Sequence, residues 1–259
     1  MRTVFQEQYV AFETIVRREI TRFTRIWSQT LLPPVITQSL YFVIFGKFIG
    51  AQVGQINGVG YMAFIVPGLV MMAVINSAFS NVVSSFFSAK FQRSIEEVLV
   101  SPTTHIAIIA GYVVGGMIRG MLVGFIVFLV SIFFTNPVIH NLPLIIIFVI
   151  LTSLVFSLAG LVNAIFAKKF DDVSIFPTFV LTPLTYLGGV FYSIHSLPGF
   201  WQQVSLFNPI LYMVNGFRFG FYGFSDVNVI GSILFLVALA GVLFYANLYL
   251  MQKGIGIRS

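Results

Sequence analysis

The sequence has no cysteine. Disulfide staples, thiolate metal sites and thiol nucleophiles are excluded with it. Charge is scarce as well: Asp, Glu, Lys and Arg make up 8% of 259 residues, where a soluble domain carries about 25%. So few charges cannot coat a water-facing surface of this size, which excludes a soluble globular enzyme. Hydrophobic residues reach 58%, with 30 Phe, and that excludes a disordered or fibrous chain. An all-α polytopic membrane protein is what remains.

The scarcest charge is acidic. Glu7, Glu13, Glu19, Glu96, Glu97, Asp171, Asp172 and Asp226 all fall outside the long apolar runs. Ion-coupled carriers use carboxylates inside their spans, so ion coupling is disfavoured, although backbone carbonyls can bind Na⁺. There is no G-x-x-x-x-G-K-[ST] phosphate cradle; Gly46-Lys47 lacks both the earlier Gly and the following hydroxyl. His105, His140 and His195 are scattered and suggest no shared metal site. The reading is of a chain with no catalytic residue, no metal and no cofactor of its own. Uphill transport would need energy from another polypeptide.

Six long apolar segments are present, at about 26–46, 61–88, 106–135, 142–167, 173–192 and 229–251. Each can cross roughly 30 Å of hydrocarbon. Residues 1–25 carry five Arg and no apolar core, so they are not a signal peptide. Phe5, Tyr9, Phe12, Val16, Ile20, Phe23 and Trp27 recur at steps of three and four. An aromatic stripe on a basic helix suits the headgroup plane.

With the N-terminus cytoplasmic, 11 of the 14 Lys and Arg lie inside. Only Lys47 and Arg218 lie outside, and Arg119 falls within a span. Both termini are therefore placed in the cytoplasm. The net charge of +6 then records topology rather than nucleic-acid binding.

Residues 193–228 are too apolar for a plain loop. Asn208-Pro209 reads as a helix cap and first turn. The run 210–224 carries Arg218 and is short for a span. Two short re-entrant or interfacial helices fit it, and a seventh span would move Lys253 and Arg258 outside.

Several polar residues interrupt the apolar runs. Span three carries Gly111, Gly115, Gly116, Gly120 and Gly124, a ridge that admits close helix packing. Arg119 beside it either bonds carbonyls or faces a pathway. Ser77, Asn81, Ser84 and Ser88 share one face of span two, lining a cavity or bonding a neighbour. Pro33-Pro34 should kink span one, among Thr30, Thr37 and Gln38. Thr178, Thr182, Thr185 and Tyr186 mark span five, with Pro177 and Pro183 as breakers.

The loop after span two predicts a short amphipathic helix at about 90–101, stopped by Pro102. Phe91, Ile95, Val98 and Leu99 form its apolar face, and Arg93, Glu96 and Glu97 its charge. It can lie on lipid or press into a partner's groove. Adjacent acids suit a protein better than an anionic membrane.

Four stretches carry a resemblance to a known family. They are "RFTRIWSQTLLPPVITQSLYFVIFG" (22–46), "RSIEEVLVSP" (93–102), "FPTFVLTPLTYLGGVFYS" (176–193) and "FNPILYMVNGFRFGFYG" (207–223). Together they resemble the permeases of type-2 ATP-binding-cassette (ABC) exporters, over nearly the whole chain. The resemblance implies six spans, an N-terminal interfacial helix, a coupling helix after span two and re-entrant helices before span six. It implies a homodimer in a bacterial inner membrane, paired with separate ABC ATP-binding subunits that hold the ATP and Mg. Drugs, lipids or glycans are the implied cargo. Glu96 then matches the loop Glu in the ATPase-contacting segment, with Phe91, Arg93, Glu97 and Leu99 around it. A stand-alone channel or ion-coupled carrier, and a scaffold without transport, are the competing readings.

Overall fold

The computed structural model describes residues 4–56 and 58–256. Helix α1 (Val4–Arg25) leads into α2 (Trp27–Thr30) and α3 (Leu32–Tyr41). The break at Leu31 comes just before Pro33 and Pro34. Both prolines sit in the first turn of α3, where a missing N–H costs least. The same run continues as a π-helix over Phe42–Ile49 and ends with α4 (Gly50–Val53). Gly54, at φ 75°, turns the chain. A two-residue antiparallel ladder, β1 (Gln55–Ile56) with β2 (Val59–Gly60), brings it back.

The chain then enters α5 (Tyr61–Phe91), which at 31 residues is about 46 Å long. It is buried along most of its length and packs on the later helices from three sides. A short helix α6 (Ser94–Val100) precedes α7 (His105–Ser131) and α8 (Leu142–Phe166). Thr104 Oγ1 and Asn141 Oδ1 cap these two long helices, each accepting an N–H that the helix leaves free.

Next come α9 (Phe170–Phe176), a π-helical turn at Pro177–Leu181 and α10 (Thr182–Tyr186). After a 3₁₀ turn at Ile194–Ser196 lie α11 (Gly199–Leu206), α12 (Pro209–Tyr222) and α13 (Val229–Lys253). Two short helices therefore occupy the 193–228 stretch, with Asn208 capping α12 and Pro209 in its first turn.

Among the described residues, five helical runs are long and apolar enough to cross a membrane. They are Trp27–Val53, Tyr61–Phe91, His105–Ser131, Leu142–Phe166 and Val229–Lys253. The first runs past its expected end at 46, and the third stops at Ser131 instead of 135. The segment expected at 173–192 is different. It consists of helical pieces of 7, 5 and 5 residues, about 25 Å in all. Its prolines explain the breaks: each lacks an N–H and frees a carbonyl of the preceding turn. Asn163 Nδ2 takes up one of these, the carbonyl of Val173, at 3.3 Å. Gly189, at φ 70°, then ends the run early.

The glycines of α7 make two grooves rather than one. A Cβ at Gly111 or Gly115 would lie 2.6 Å or 2.5 Å from Ile15 or Glu19 of α1. At Gly116, Gly120 and Gly124 it would meet Val82, Ala78 and Val74 of α5. Helix α7 is thus the plate between α1 and α5.

Helix α1 runs alongside α7 in the same direction. Gln8 bonds Pro102 and Thr104, Ile15 meets Gly111, and Glu19 meets Gly115. That is a constant offset over several turns. Of the described residues of the aromatic stripe, Phe23 alone is buried in the packing face of α1. Ile15, Glu19 and Phe23 are buried, while Tyr9 and Trp27 are each 58% exposed. The side chain of Phe5, and Arg2 and Arg258, lie outside the described residues.

Candidate functional site

The loop between α5 and α7 is divided where one helix was expected over 90–101. Lys90 and Phe91 finish α5, Arg93 turns the chain at φ 59°, and α6 starts at Ser94. The reversal takes two residues, and a left-handed non-glycine accomplishes it. Lys90 is a fastener instead of a loop residue. Its Nζ donates to the carbonyls of Ile165 (2.6 Å) and Ala167 (2.7 Å). These acceptors end α8, where carbonyls have no helical partner.

On α6, Ile95 is buried and Val98 and Leu99 pack on the core. Leu99, expected to face a partner, therefore points largely inward. Arg93, Glu96 and Glu97 are exposed, and both acids stand in the first turn, where the helix dipole favours them. Val100 is 88% exposed. Phe91 is exposed too and packs on Phe87 and on Phe170 of α9, at 6.0 Å and 4.8 Å between ring centroids. Asp172, two residues along, accepts the backbone N–H groups of Lys168 and Lys169. Those bonds hold its carboxyl below the usual range. The result is an exposed patch of aromatic and aliphatic side chains beside two acids.

The polar stripe of α5 faces α1. Asn81 and Ser85 are buried, and both donate to the Glu19 carboxylate, Ser85 through its hydroxyl and Asn81 through Nδ2 at 3.3 Å. Arg22 closes the cluster, donating to Glu19 Oε2 (3.1 Å), Asn81 Oδ1 (2.8 Å) and the Asn81 carbonyl (3.0 Å). Ser84 accepts from the same guanidinium at 3.4 Å. Arg18 reaches Tyr112 of α7 at 2.6 Å. Here Asn81 and Ser84 bond helices together. Ser77 is also buried, one turn further along.

Arg119 and Thr30 meet. Arg119 Nη2 donates to the Thr30 carbonyl at 3.0 Å, and Thr30 Oγ1 donates to the Phe23 carbonyl at 2.7 Å. The reason lies in Pro34. In a continuous helix its N–H would serve Thr30, and proline has none. Arg119 supplies the missing donor from the next helix. Replacing Arg119 with Met should therefore cost about 1–3 kcal/mol, the penalty of an orphaned buried carbonyl. Thermal unfolding in detergent reads this, and adding Pro34→Ala, which restores an N–H, should recover part of the loss.

Thr37, Thr178, Thr182 and Tyr186 are on the outside of the chain. Near them, Tyr41 and Tyr186 both pack on Phe191, each 6.0 Å from it between centroids. The candidate pathway residues thus divide into an inner set, of which Thr30, Asn81, Ser84 and Arg119 bond helices together, and an exposed set on the first and fifth segments.

A second polar cluster sits at the far end of α5. Arg218 is fully buried. Its Nη2 donates to the Gly189 carbonyl at 2.7 Å and Nη1 to Asn215 Oδ1 at 3.4 Å. Its guanidinium stands 3.9 Å over the Phe64 ring. Asp226 ties the same region, accepting from Ser193 Oγ (2.9 Å) and the Ile194 N–H (3.0 Å). Asn208 Nδ2 adds a bond to the Leu184 carbonyl at 2.6 Å. The turn 187–194 is pinned from three sides. A cavity of about 310 Å³ between α5, α7, α8 and α12 has only apolar residues around it, among them Phe128, Ile145, Phe217 and Phe221.

Sequence reading missed Glu19, Arg22, Ser85, Lys90 and Asp226 as site residues. One signal was available. Glu19 falls at the i+4 step between Ile15 and Phe23, an acid inside an apolar face, and Arg22 follows at i+3. The more conspicuous aromatic stripe concealed it.

Residues 10–222 match the family described as ABC-2 type transporter. The chain is similar to the inner membrane transport permease YadH of Escherichia coli (strain K12), at 54% identity over 97% of this chain and 98% of the relative. It is also similar to nodulation protein J of Rhizobium leguminosarum bv. viciae, at 25% identity over 82% and 83% of the two chains. Nodulation protein J of Rhizobium meliloti (strain 1021) aligns at 25% identity over 92% and 91%.

Proposed function

This chain belongs to the ABC-2 type transporter family, and from that premise we propose that it is the membrane half of an ATP-driven exporter. The chain is a permease subunit of an ABC transporter in a bacterial inner membrane. In this reading the chain makes six crossings, with the segment at about 173–192 forming the fifth. Both termini face the cytoplasm, and α11 and α12 dip back from the outer face. Two copies pair through the first and fifth segments, a reading that the exposure of Thr37, Thr178, Thr182 and Tyr186 supports. The hydroxyls and aromatic rings there suit an amphipathic cargo such as a lipid, glycan or drug.

ATP and Mg are held by a separate ATP-binding subunit. The observation that carries this reading is the exposed patch of Phe91, Arg93, Glu96, Glu97 and Val100 at the end of α5 and on the loop after it. Its apolar side chains can enter a groove on the partner, and its acids can pair with basic residues there. ATP-driven closure of the partner pair would push α6, and α5 would carry the displacement inward.

Reversing both acids, Glu96→Lys with Glu97→Lys, tests it. Co-purification with the partner ATPase should fall about tenfold or more, equivalent to some 1.4 kcal/mol. The melting temperature should stay near wild type, because both side chains are in solvent. Unchanged co-purification, with unchanged ATP hydrolysis, would count against the reading.

A further inference from the structure

We propose that α1 is a strut across the ATPase-facing loop, and that Glu19 is a positioning residue that sets how loop movement reaches the spans. The proposal rests on the reading above that this loop receives an ATPase. The strut is fixed on both sides of the loop. Before it, Glu19 and Arg22 bond Asn81, Ser84 and Ser85 of α5. After it, Gln8 Nε2 donates to the Pro102 carbonyl (2.6 Å), and Gln8 Oε1 accepts the Thr104 N–H (2.7 Å). The loop that holds α6 is therefore bridged by a single helix lying along α7.

Stability alone does not account for Glu19. Its side chain has no exposed surface, and burying a carboxylate carries a desolvation cost that apolar packing avoids. A Leu between Ile15 and Phe23 would complete the apolar face. What the carboxylate supplies is direction. Ser85, Asn81 and Arg22 donate to it, and the Arg18 guanidinium lies 3.7 Å away. Sliding α1 by one turn would break these bonds together. A contact of that kind is held or released and does not creep, as a transmitting element requires. The small residues beneath it fit this use. Gly111 and Gly115 let α1 lie directly against the α7 backbone, so a pull on α1 reaches α7 without slack.

The test uses the full chain with the ATPase that co-purifies with it, in nanodiscs of phosphatidylethanolamine and phosphatidylglycerol. Glu19→Gln removes the charge and keeps the shape. The pair Glu19→Leu with Arg22→Met is an apolar replacement that leaves no unpaired charge in that ion pair. Both should assemble in wild-type amounts, while ATP hydrolysis per assembled complex changes about fivefold or more. Glu19→Asp should restore the rate most of the way. A role confined to folding would lower the yield of complex and leave the rate per complex unchanged, and that result would overturn the proposal.

A second readout stands apart from the ATPase. The sequence has no cysteine, so Ile15→Cys is the only thiol, and it lies buried against Gly111. It should resist a permeant maleimide in the wild-type background and react in the Glu19→Gln background. If the wild-type chain recruits no ATPase, the functional reading fails, and this labelling alone decides the strut. Equal protection in both backgrounds refutes it.

Discussion

Replacing Arg218 with Ala should destabilise the protein by about 3–5 kcal/mol, the scale of removing one partner from a buried charged network. The measurement is a thermal or denaturant melt of the purified chain in detergent. Three losses combine. The Gly189 carbonyl loses a 2.7 Å donor. The face of Phe64 loses the guanidinium stacked at 3.9 Å, and the long side chain leaves a cavity in a fully enclosed site. Arg218→Lys should recover little, because an ammonium is a compact charge without the planar face that stacks on Phe64 while its edge donates to Gly189 and Asn215. The damage should be local to the turn 187–194, so proteolysis should begin there. Equal melting of wild type and Arg218→Ala would mean that the cluster contributes nothing to the fold.

Substituting Gly120 by Leu should cost about 3 kcal/mol or more, at or beyond the upper end of overpacking penalties. A Cβ there would sit 2.8 Å from Ala78 Cβ and 3.1 Å from the Val74 carbonyl. Two helix backbones must then separate, and α5 is the helix that the rest of the bundle packs on. The matched control is Gly241→Leu on α13, where nothing lies within 4 Å. That change should leave stability unchanged or raise it slightly, since Leu is the better helix former. Yield of monodisperse protein and melting temperature distinguish the two. Similar behaviour at both sites would mean that α5 and α7 can part at Gly120 without cost.

Most of the long helices were legible in the sequence because their apolar runs are uninterrupted and their caps are ordinary. Thr104, Asn141, Asn208 and Asn228 each accept a first-turn N–H. The fifth segment was less so. Its apolar content continues to Tyr192, but Pro177, Pro183 and Gly189 decide where the backbone can stay helical. Hydropathy does not report that limit.

The candidate site was legible in parts. Exposed Glu96 and Glu97 follow from helical spacing alone. That Phe91 belongs to α5 does not, because only the left-handed turn at Arg93 separates it from α6. Glu19 was obscured for a different reason. Its partners on α5 stand more than 60 residues away, so the local signal, an acid inside the apolar face of Ile15 and Phe23, does not say what that face meets.

The order in which the chain is made gives the cation at Arg119 a further meaning. Thr30, whose carbonyl it serves, is synthesised 89 residues earlier. Arg218 likewise follows Phe64, Gly189 and Asn215, with which it interacts. Each of these two charged side chains therefore emerges from the ribosome when its acceptors already exist. Synthesis runs from the N-terminus, so neither has to wait in hydrocarbon for a partner still to be translated. Glu19 and Arg22 precede their partners, but α1 can wait in water until α5 is inserted. Moving α12 ahead of α5 by circular permutation would remove this advantage for Arg218 and leave the finished contacts the same. Insertion yield would then fall although the folded state did not change.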